Sequence, residues 1–320
     1  MTRRMSPTPG TPEWVELRRS GIGATDAAVV CGRSPFRTPF EKYAEMLGRT
    51  APLIETEAME WGIRLQPVVG AAWAEKYGRR VRACRWVYVL EPGIFSSYDF
   101  EVVPPKGEPV TELVETKTTS VFNQREWGEP GTDQAPTAYL LQCQHQMACR
   151  PGIVRVHLVV LVGGQKLRQF IVERDDELIG YLLTIERKFL ADTAAGIPPE
   201  MDGSEAASAF LRAQFPGDDG TVVELDADTT DVAREYLAAK AAEKDALGRI
   251  ALLGNVLRDR LKAAAVATSP EIKVTYKQSR PSQVFDWRTA TEHLLTAEQI
   301  AHYTTEKPGA RPLVVSWIGE

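Results

Sequence analysis

Two acidic side chains and a lysine near the middle of the chain have residue types and a spacing that could support hydrolytic chemistry. Asp99 lies at the end of one apolar run, and Glu115 and Lys117 lie two positions apart in the next. Because the side chains of a strand alternate between its two faces, Glu115 and Lys117 should project together. Residues 104–109 are rich in turn formers, so a hairpin about Gly107 would bring Asp99 opposite Glu115.

Two interpretations of this cluster are open. Carboxylates that are crowded together away from water repel each other unless a cation joins them, so a purely structural strand has little use for such a group. A solvated strand face with a coincidental Glu-x-Lys explains the same residues. Considered without the rest of the chain, this second interpretation is the better one.

Two further segments carry polar side chains that could complete a site. Residues 21–32 read as a glycine-bearing turn that opens onto a helix of small residues, with Thr25 at the N-cap position. Free amides at a helix start favour an anion, and Arg18 could grip a phosphate, although simple capping explains the turn equally. Near residue 140, Gln142 and Gln146 share one helix face, which suits the lining of a polar site.

The bulk composition is that of an ordinary globular protein. The 320 residues are 43% hydrophobic and 25% charged, and the formal net charge is −5. This charge argues against a chain that is basic throughout, but it does not exclude a local basic groove. No apolar run approaches the roughly 20 residues of a membrane span, and four separated cysteines are typical of free thiols, so we expect a cytoplasmic protein.

The order of elements predicts an α/β protein in four segments. We expect a disordered lead over 1–12, a core over 13–195, a linker over 196–228 and a small C-terminal α/β module over 229–320. The core should contain a helix over 57–77 that is interrupted by Pro67, and strands at 153–162 and 167–172. In the module, Asp228 or Thr229 could cap a long helix, followed by a strand at 272–276, a short helix at 291–303 and a last strand at 313–317.

Read in order, the polar and aromatic signals resemble one known family. The set comprises Trp14, Arg18, Thr25, Trp61-Gly62, Gln66, Asp99, Glu115-Thr116-Lys117, Tyr139 and Gln142. In order and spacing it resembles the YqaJ-like viral recombinases, relatives of the phage lambda exonuclease in the PD-(D/E)XK nuclease superfamily, over roughly residues 13–195. The resemblance implies a restriction-endonuclease-like core, with a mixed central β-sheet flanked by helices.

The resemblance also implies roles for individual residues. Asp99 and Glu115 correspond to the metal-binding acids, with the backbone carbonyl of Thr116 as a further ligand for Mg²⁺, for which Mn²⁺ can substitute. Lys117 corresponds to the lysine that orients and helps deprotonate the attacking water. Gln142 corresponds to the glutamine beside the metal, and the DNA 5′-phosphate is assigned by the resemblance to Arg18 and Thr25.

Gln66 departs from the family pattern, which has a glutamate before the proline at this position. An amide offers a neutral oxygen to a metal but lacks the charge that favours a second cation. A one-metal site, a substitute acid such as Glu60, and weakened catalysis are three accounts of this departure.

The function implied is a metal-dependent 5′→3′ exonuclease on linear double-stranded DNA in phage-type recombination, leaving 3′ single-stranded overhangs. The partners implied are DNA ends, a single-strand annealing protein and further copies of the chain in a ring, with no membrane. A catalytically impaired DNA-end-binding protein and a single-strand-specific nuclease of the same superfamily are the alternatives.

Overall fold

The chain divides into two compact units, Met1–Gln214 and Phe215–Glu320. The structure, a computed structural model, describes residues 3–6, 11–49, 56–279, 295, 296, 298, 299 and 302. Within these residues, every helix is too short or too polar to cross a membrane.

The first unit alternates helices and strands along the chain. Its helices are α1 (Pro12–Arg19), α2 (Ala27–Val30), α3 (Pro39–Met46), α4 (Glu57–Lys76), α5 (Thr137–Cys149), α6 (Asp176–Ala194) and α7 (Glu205–Gln214). Its strands are β1 (Arg3–Met5), β2 (Val81–Ala83), β3 (Val87–Glu91), β4 (Ile94–Ser96), β5 (Phe100–Val102), β6 (Glu112–Thr119), β7 (Arg155–Val162) and β8 (Lys166–Glu173). The helix predicted over 57–77 is confirmed as α4, which runs through Pro67 as one helix.

A five-stranded mixed sheet forms the centre of this unit. Its strand order is β2-β5-β6-β7-β8, with β6 and β7 parallel and the other neighbours antiparallel. Alternate residues of β6 belong to different cores: Leu113 packs in the cluster that contains Met147 of α5, and Val114 packs in the cluster that contains Trp73 of α4. Helices therefore flank a mixed sheet, which confirms the predicted fold class.

Gly70 allows α4 to lie close to the sheet. A Cβ atom built at this position would lie 2.6 Å from the ring of Phe100 in β5, closer than two carbon atoms can approach. Because α4 can approach in this way, Gln66, one turn earlier in the helix, comes over the end of the strand that follows Asp99.

A second, three-stranded sheet of order β1-β3-β4 involves the start of the chain. Arg3–Met5, inside the lead that was expected to be disordered, pairs antiparallel with Val87–Val89. The physical reason is that β3 has a free edge on the side away from β4, and three residues of extended chain satisfy its backbone groups.

The helix α7 extends the first unit beyond the predicted core. It falls inside the segment 196–228 that was expected to be a linker with one short helix, yet its Phe210 is buried against Phe40 and Tyr43 of α3. This aromatic cluster places the division between the units after Gln214 rather than near residue 195.

The second unit contains a 35-residue helix and a hairpin. The helix α8 (Ala227–Leu261) is capped by Asp226, two residues before the first of the predicted caps, because the side chain of Asp226 accepts the amide of Thr229 at 2.8 Å. The strands β9 (Val266–Thr268) and β10 (Lys273–Thr275) pair antiparallel. The helix predicted at 291–303, apart from five of its positions, and the strand predicted at 313–317 lie outside the described residues.

A buried ion pair ties α5 to α6 and β4. Both ring nitrogens of His145 lie opposite acceptors, Nδ1 at 2.7 Å from Glu186 Oε1 and Nε2 at 2.9 Å from the carbonyl of Phe95. Both nitrogens must then donate, so the ring is an imidazolium. Burial disfavours this charge, but the Cys149 and Glu186 groups outweigh it and raise the pKa of His145 well above its ordinary value.

We predict that Glu186→Gln destabilises the protein by about 3 kcal/mol, because the charge of His145 would remain buried without its partner. Since the folded-state pKa of His145 is raised, its contribution is complete below about pH 6.5 and is lost as the pH rises above that value. The difference between the two proteins should therefore shrink as the pH increases. Denaturant unfolding at several pH values measures it.

The matched control is Lys188→Gln, which breaks the exposed pair of Lys188 with Asp192 and should cost less than about 1 kcal/mol at every pH. Equal losses of unfolding free energy in Glu186→Gln and Lys188→Gln would show that the buried pair of His145 and Glu186 does not hold α5 in place.

Candidate active site

The hairpin predicted about Gly107 is confirmed by the strand register. Phe100 pairs with Val114 and Glu101 with Leu113, so Asp99 continues the register opposite Glu115. Thr116 fixes the Asp99 carboxylate from the neighbouring strand: its amide and its hydroxyl donate to Asp99 Oδ2 at 2.8 and 2.5 Å. Both bonds go to Oδ2, which leaves Oδ1 to bind a ligand.

The Glu115 carboxylate is held by three donors. Lys117 Nζ and Gln142 Nε2 donate to Oε1 at 2.8 and 2.6 Å, and Gln146 Nε2 donates to Oε2 at 2.8 Å. The contact with Lys117 confirms that the two strand residues project together. Glu115 is only 4% exposed, so these bonds replace the water that an isolated carboxylate would require.

Burial and neighbouring charges shift the pKa values of both Asp99 and Lys117. Burial and the nearby charge of Glu115 raise the pKa of Asp99 to about 7. Burial would lower the pKa of Lys117, but Glu115 and then Asp99 outweigh it and raise that pKa above its ordinary value. In this arrangement Lys117 is therefore an ammonium group that donates hydrogen bonds and not a free base.

One cavity of about 670 Å³ collects most of the residues singled out from the sequence. Its lining includes Arg18, Thr25, Gln66, Asp99, Glu115 and Gln142. Thr116 and Lys117 lie behind this surface and contact it through the two carboxylates. Elements separated by more than a hundred residues thus converge on one space.

The segment that carries Thr25 is folded differently from the prediction. Thr25 lies within a 3₁₀ turn, Ala24–Asp26, and α2 after it has only four residues, so Thr25 is not the N-cap of a longer helix. Asp26 organises the turn instead, because its Oδ2 accepts the amide of Gly23 at 3.1 Å and the ammonium of Lys42 at 3.0 Å. The exposed Thr25 is left to face the cavity.

Lys42 is a residue whose role sequence reasoning missed. Its side chain is fully buried, and Nζ donates to the carbonyl of Arg18 at 3.1 Å as well as pairing with Asp26. It therefore holds the end of α1 and the 3₁₀ turn against each other. A lone lysine in an amphipathic helix carries no sequence signal for such burial, because its acceptors come from residues distant along the chain.

Gln146 was expected to share a face with Gln142, and the structure gives it a specific contact. Besides Glu115, its amide nitrogen donates to the carbonyl of Ser97 at 3.3 Å, while its Oε1 is buried without a partner among the described residues. The i, i+4 spacing of two glutamines was the available signal. Ser97, which lines the cavity two residues before Asp99, had none.

The basic segment 76–85 is divided between two uses. Arg79 pairs with Glu112 and Arg82 with Glu101, at the sheet edge formed by β2. Arg85 instead lines the cavity. Arg79 and Arg82 therefore form ion pairs at the sheet edge, whereas Arg85 faces the cavity.

Gln66 lines the cavity, whereas Glu60, the acid suggested as its substitute, does not. Glu60 is half-exposed and pairs with Arg64 at 2.5 Å along the helix. The groups in the cavity lining that could hold a metal are the carboxylates of Asp99 and Glu115 and the amide oxygen of Gln66, and the resemblance predicts the carbonyl of Thr116 as a further ligand. All are hard oxygen atoms, which suit Mg²⁺ or Mn²⁺.

The donor set fits one divalent cation better than two. Within the described part of the chain, no group of three or more acidic, histidine or cysteine side chains could hold a metal ion. Burial first and then the charge of Glu115 raise the pKa of Asp99, and the positive charge of a shared cation would offset both effects. Glu115 Oε2 accepts one hydrogen bond and retains a second lone pair for a cation, whereas Oε1 already accepts two hydrogen bonds.

Comparisons with known proteins identify several that are similar to this chain. Residues 13–150 match the family model of the YqaJ-like viral recombinase domain. The chain is 29% identical over 260 residues to the uncharacterized protein YqaJ of Bacillus subtilis (strain 168), a match that spans 79% of this chain and 78% of that protein. Both matches confirm the resemblance predicted from the sequence.

Solved exonuclease structures are also similar. An alkaline exonuclease from Laribacter hongkongensis is 25% identical, with a TM-score of 0.47 over 58% of this chain and 94% of that one. A phage-related exonuclease from Haemophilus somnus 129PT is 12% identical, with a TM-score of 0.43 over 55% and 96%.

We predict that Asp99→Asn stabilises the metal-free protein by about 1 kcal/mol, because asparagine keeps an acceptor for Thr116 and removes a buried charge beside Glu115. Because the pKa of Asp99 is raised to about 7, the stability of the wild-type protein falls as the pH rises towards that value. The stability advantage of Asp99→Asn over the wild-type protein should therefore reach its full size above about pH 7. Unfolding in a chelator measures this difference.

Added Mn²⁺ should make the wild-type protein more stable than Asp99→Asn, because only the wild-type protein keeps both carboxylates for the cation. The matched control is Asp192→Asn, an exposed acid paired with Lys188 that should change neither measurement. An Asp99→Asn protein that is less stable in chelator, together with a wild-type protein that gains nothing from Mn²⁺, contradicts the shared-cation site.

Proposed function

We propose that the protein is a divalent-metal-dependent exonuclease that degrades linear duplex DNA in recombination, since residues 13–150 match the model of the YqaJ-like viral recombinase domain. The observation that carries this proposal is the single cavity that joins the carboxylate pair to Arg18 and Thr25. Such a cavity can hold a cation at one point and a terminal phosphate at another.

The proposed polarity of digestion rests on the presence of Arg18 and Thr25 in the same cavity as the carboxylates. The guanidinium of Arg18 and the hydroxyl of Thr25 suit a 5′-phosphate, as in the family resemblance. Binding there would place the first phosphodiester bond near Asp99 and Glu115. Cleavage then proceeds 5′→3′ along one strand and leaves a 3′ single-stranded overhang, the substrate of an annealing protein.

In the reaction, water attacks the phosphorus atom, the bond to the 3′ oxygen breaks, and a proton passes to that oxygen. Asp99, Glu115 and Gln66 would hold Mg²⁺, for which Mn²⁺ can substitute. A divalent cation there supplies charge stabilisation for the phosphate and lowers the pKa of a bound water. Lys117 offsets the carboxylate charge and donates a hydrogen bond that orients the water or a phosphate oxygen.

Gln142 and Gln146 have a positioning role in this proposal. By donating to both oxygens of Glu115 they fix the plane of its carboxylate, and Thr116 does the same for Asp99. A carboxylate held in one orientation presents its remaining lone pairs to a cation without a further loss of side-chain freedom.

We expect wild-type protein with Mg²⁺ to digest 5′-phosphorylated linear duplex and release mononucleotides. Asp99→Ala and Lys117→Ala should each lower the rate by about a hundredfold or more, because each removes a group that acts on the reacting phosphate. Gel analysis of a duplex labelled on either strand gives both rate and polarity. Equal rates in Asp99→Ala, Lys117→Ala, the control Asp192→Asn and the wild-type protein would reject the assignment.

Arg18→Gln tests the phosphate end of the cavity separately. It should lower the preference for a 5′-phosphate over a 5′-hydroxyl by about tenfold, because one charge-assisted hydrogen bond is lost. The rate on 5′-hydroxyl duplex should change little. The matched control is Arg19→Gln, a neighbouring exposed arginine of α1 that lies outside the lining of the cavity. An unchanged preference in Arg18→Gln would place the 5′-phosphate elsewhere.

Gln66 favours a second candidate, a DNA-end-binding protein with impaired catalysis. Its neutral amide lines the cavity where a third carboxylate would strengthen metal binding. Duplex ends would then be bound without hydrolysis in Mg²⁺ or Mn²⁺, and Gln66→Glu would not restore cleavage. Hydrolysis by the wild-type protein, raised or unchanged by Gln66→Glu, excludes this candidate.

A further inference from the structure

A second cavity, of about 390 Å³, lies next to the main one. The two share Cys84, Arg85 and Trp86 as a common wall. The second cavity, which we call the arginine cavity, is lined by four arginines: Arg4, Arg82, Arg85 and Arg150. The proposed nuclease mechanism uses neither Arg4, Arg82 nor Arg150, and Arg82 has so far been described only through its ion pair with Glu101.

The charges around the arginine cavity do not balance. Glu101 is the one carboxylate among the described residues that line it. Its Oε2 accepts Arg82 at 2.5 Å, and its Oε1 accepts Arg150 and, at 2.8 Å, the hydroxyl of Tyr98. Four positive groups that face one negative group leave three formal positive charges.

A structural role explains only half of this set. Glu101 is 5% exposed and needs partners, and Arg82 and Arg150 supply them. Arg4 and Arg85 are not required for that purpose. Collecting them beside two existing guanidinium groups costs free energy through like-charge repulsion, unless an anion enters the cavity.

The guanidinium groups are also held in fixed orientations. Arg150 lies 4.8 Å from the ring centre of Tyr88 and 5.6 Å from that of Tyr98, and Arg4 lies 5.5 Å from the ring centre of Tyr88. Stacking on aromatic faces leaves the edges of the planar groups free to donate. The pairing of β1 with β3 is what brings Arg4 here, because Arg4 is opposite Tyr88 in the register.

We propose that the arginine cavity binds a backbone phosphate of the same DNA molecule whose end occupies the main cavity. This inference rests on the proposed function for the identity of the polymer. Planar donor forks match the oxygens of a phosphate, and the common wall lets one polynucleotide contact both cavities. The side chain of Arg82 is 64% exposed, so the arginine cavity opens to solvent and can admit a chain rather than only a small anion.

The test compares the full-length wild-type protein with the double variant Arg4→Gln/Arg82→Gln. Neither residue lines the main cavity, and Glu101 keeps Arg150 and Tyr98 as partners. Binding of a blunt, 5′-phosphorylated duplex is measured in a chelator over a series of salt concentrations. We expect about tenfold weaker binding at moderate salt and a log–log salt dependence that is shallower by about one unit.

The matched control is Arg33→Gln/Arg80→Gln, which removes the same charge from two exposed positions outside both cavities. It should bind with the wild-type salt dependence. If the first double variant unfolds at the working temperature, Arg4→Gln alone, at an exposed strand position, should give a smaller shift in the same direction.

The outcomes separate the possible anions. Duplex binding and salt dependence in Arg4→Gln/Arg82→Gln that equal those of the wild-type protein overturn the proposal. The proposal is also overturned if this double variant binds duplex normally but inorganic phosphate no longer inhibits its duplex binding, since the arginine cavity would then hold a free anion. Wild-type protein that binds duplex without hydrolysing it contradicts the proposed function, yet leaves this comparison intact.

Discussion

The site depends on two carboxylates of like charge that the strand register forces together. The pairing of Phe100 with Val114 fixes the distance between Asp99 and Glu115, and neither side chain can move away without breaking the β5–β6 ladder. Burial then keeps water from screening them, and the raised pKa of Asp99 records the resulting cost. A fold that holds such a pair needs either a proton or a cation between the two acids.

The rest of the first unit can be understood as support for this pair. From one side, α5 supplies Gln142 and Gln146 to Glu115, and the imidazolium of His145, which lies between them in the sequence, anchors the same helix to α6 and β4. From the other side, α4 carries Gln66 to the cavity, which the close contact of Gly70 with Phe100 makes possible. A site for charged substrates requires positioning by several rigid elements, because a small displacement of a carboxylate strongly weakens metal binding.

The features that could be predicted from the sequence are those that local sequence patterns determine. The hairpin, the shared projection of Glu115 and Lys117 and the mixed sheet follow from alternation and turn chemistry. The cap at Thr25 was predicted wrongly, because Asp26 gains a buried partner, Lys42, from a helix that the local pattern does not include. The pairing of Arg3–Met5 with β3 and the packing of Phe210 were missed for the same reason: contacts between distant segments override weak local signals.

The most direct test of the central claim is a structure of the protein crystallised with Mn²⁺, in which anomalous scattering locates the cation. The account predicts one Mn²⁺ ion bound between Asp99 and Glu115, with Gln66 facing it. Anomalous density absent from this position while the protein binds Mn²⁺ elsewhere, or density that persists there unchanged in Asp99→Asn, would contradict the claim.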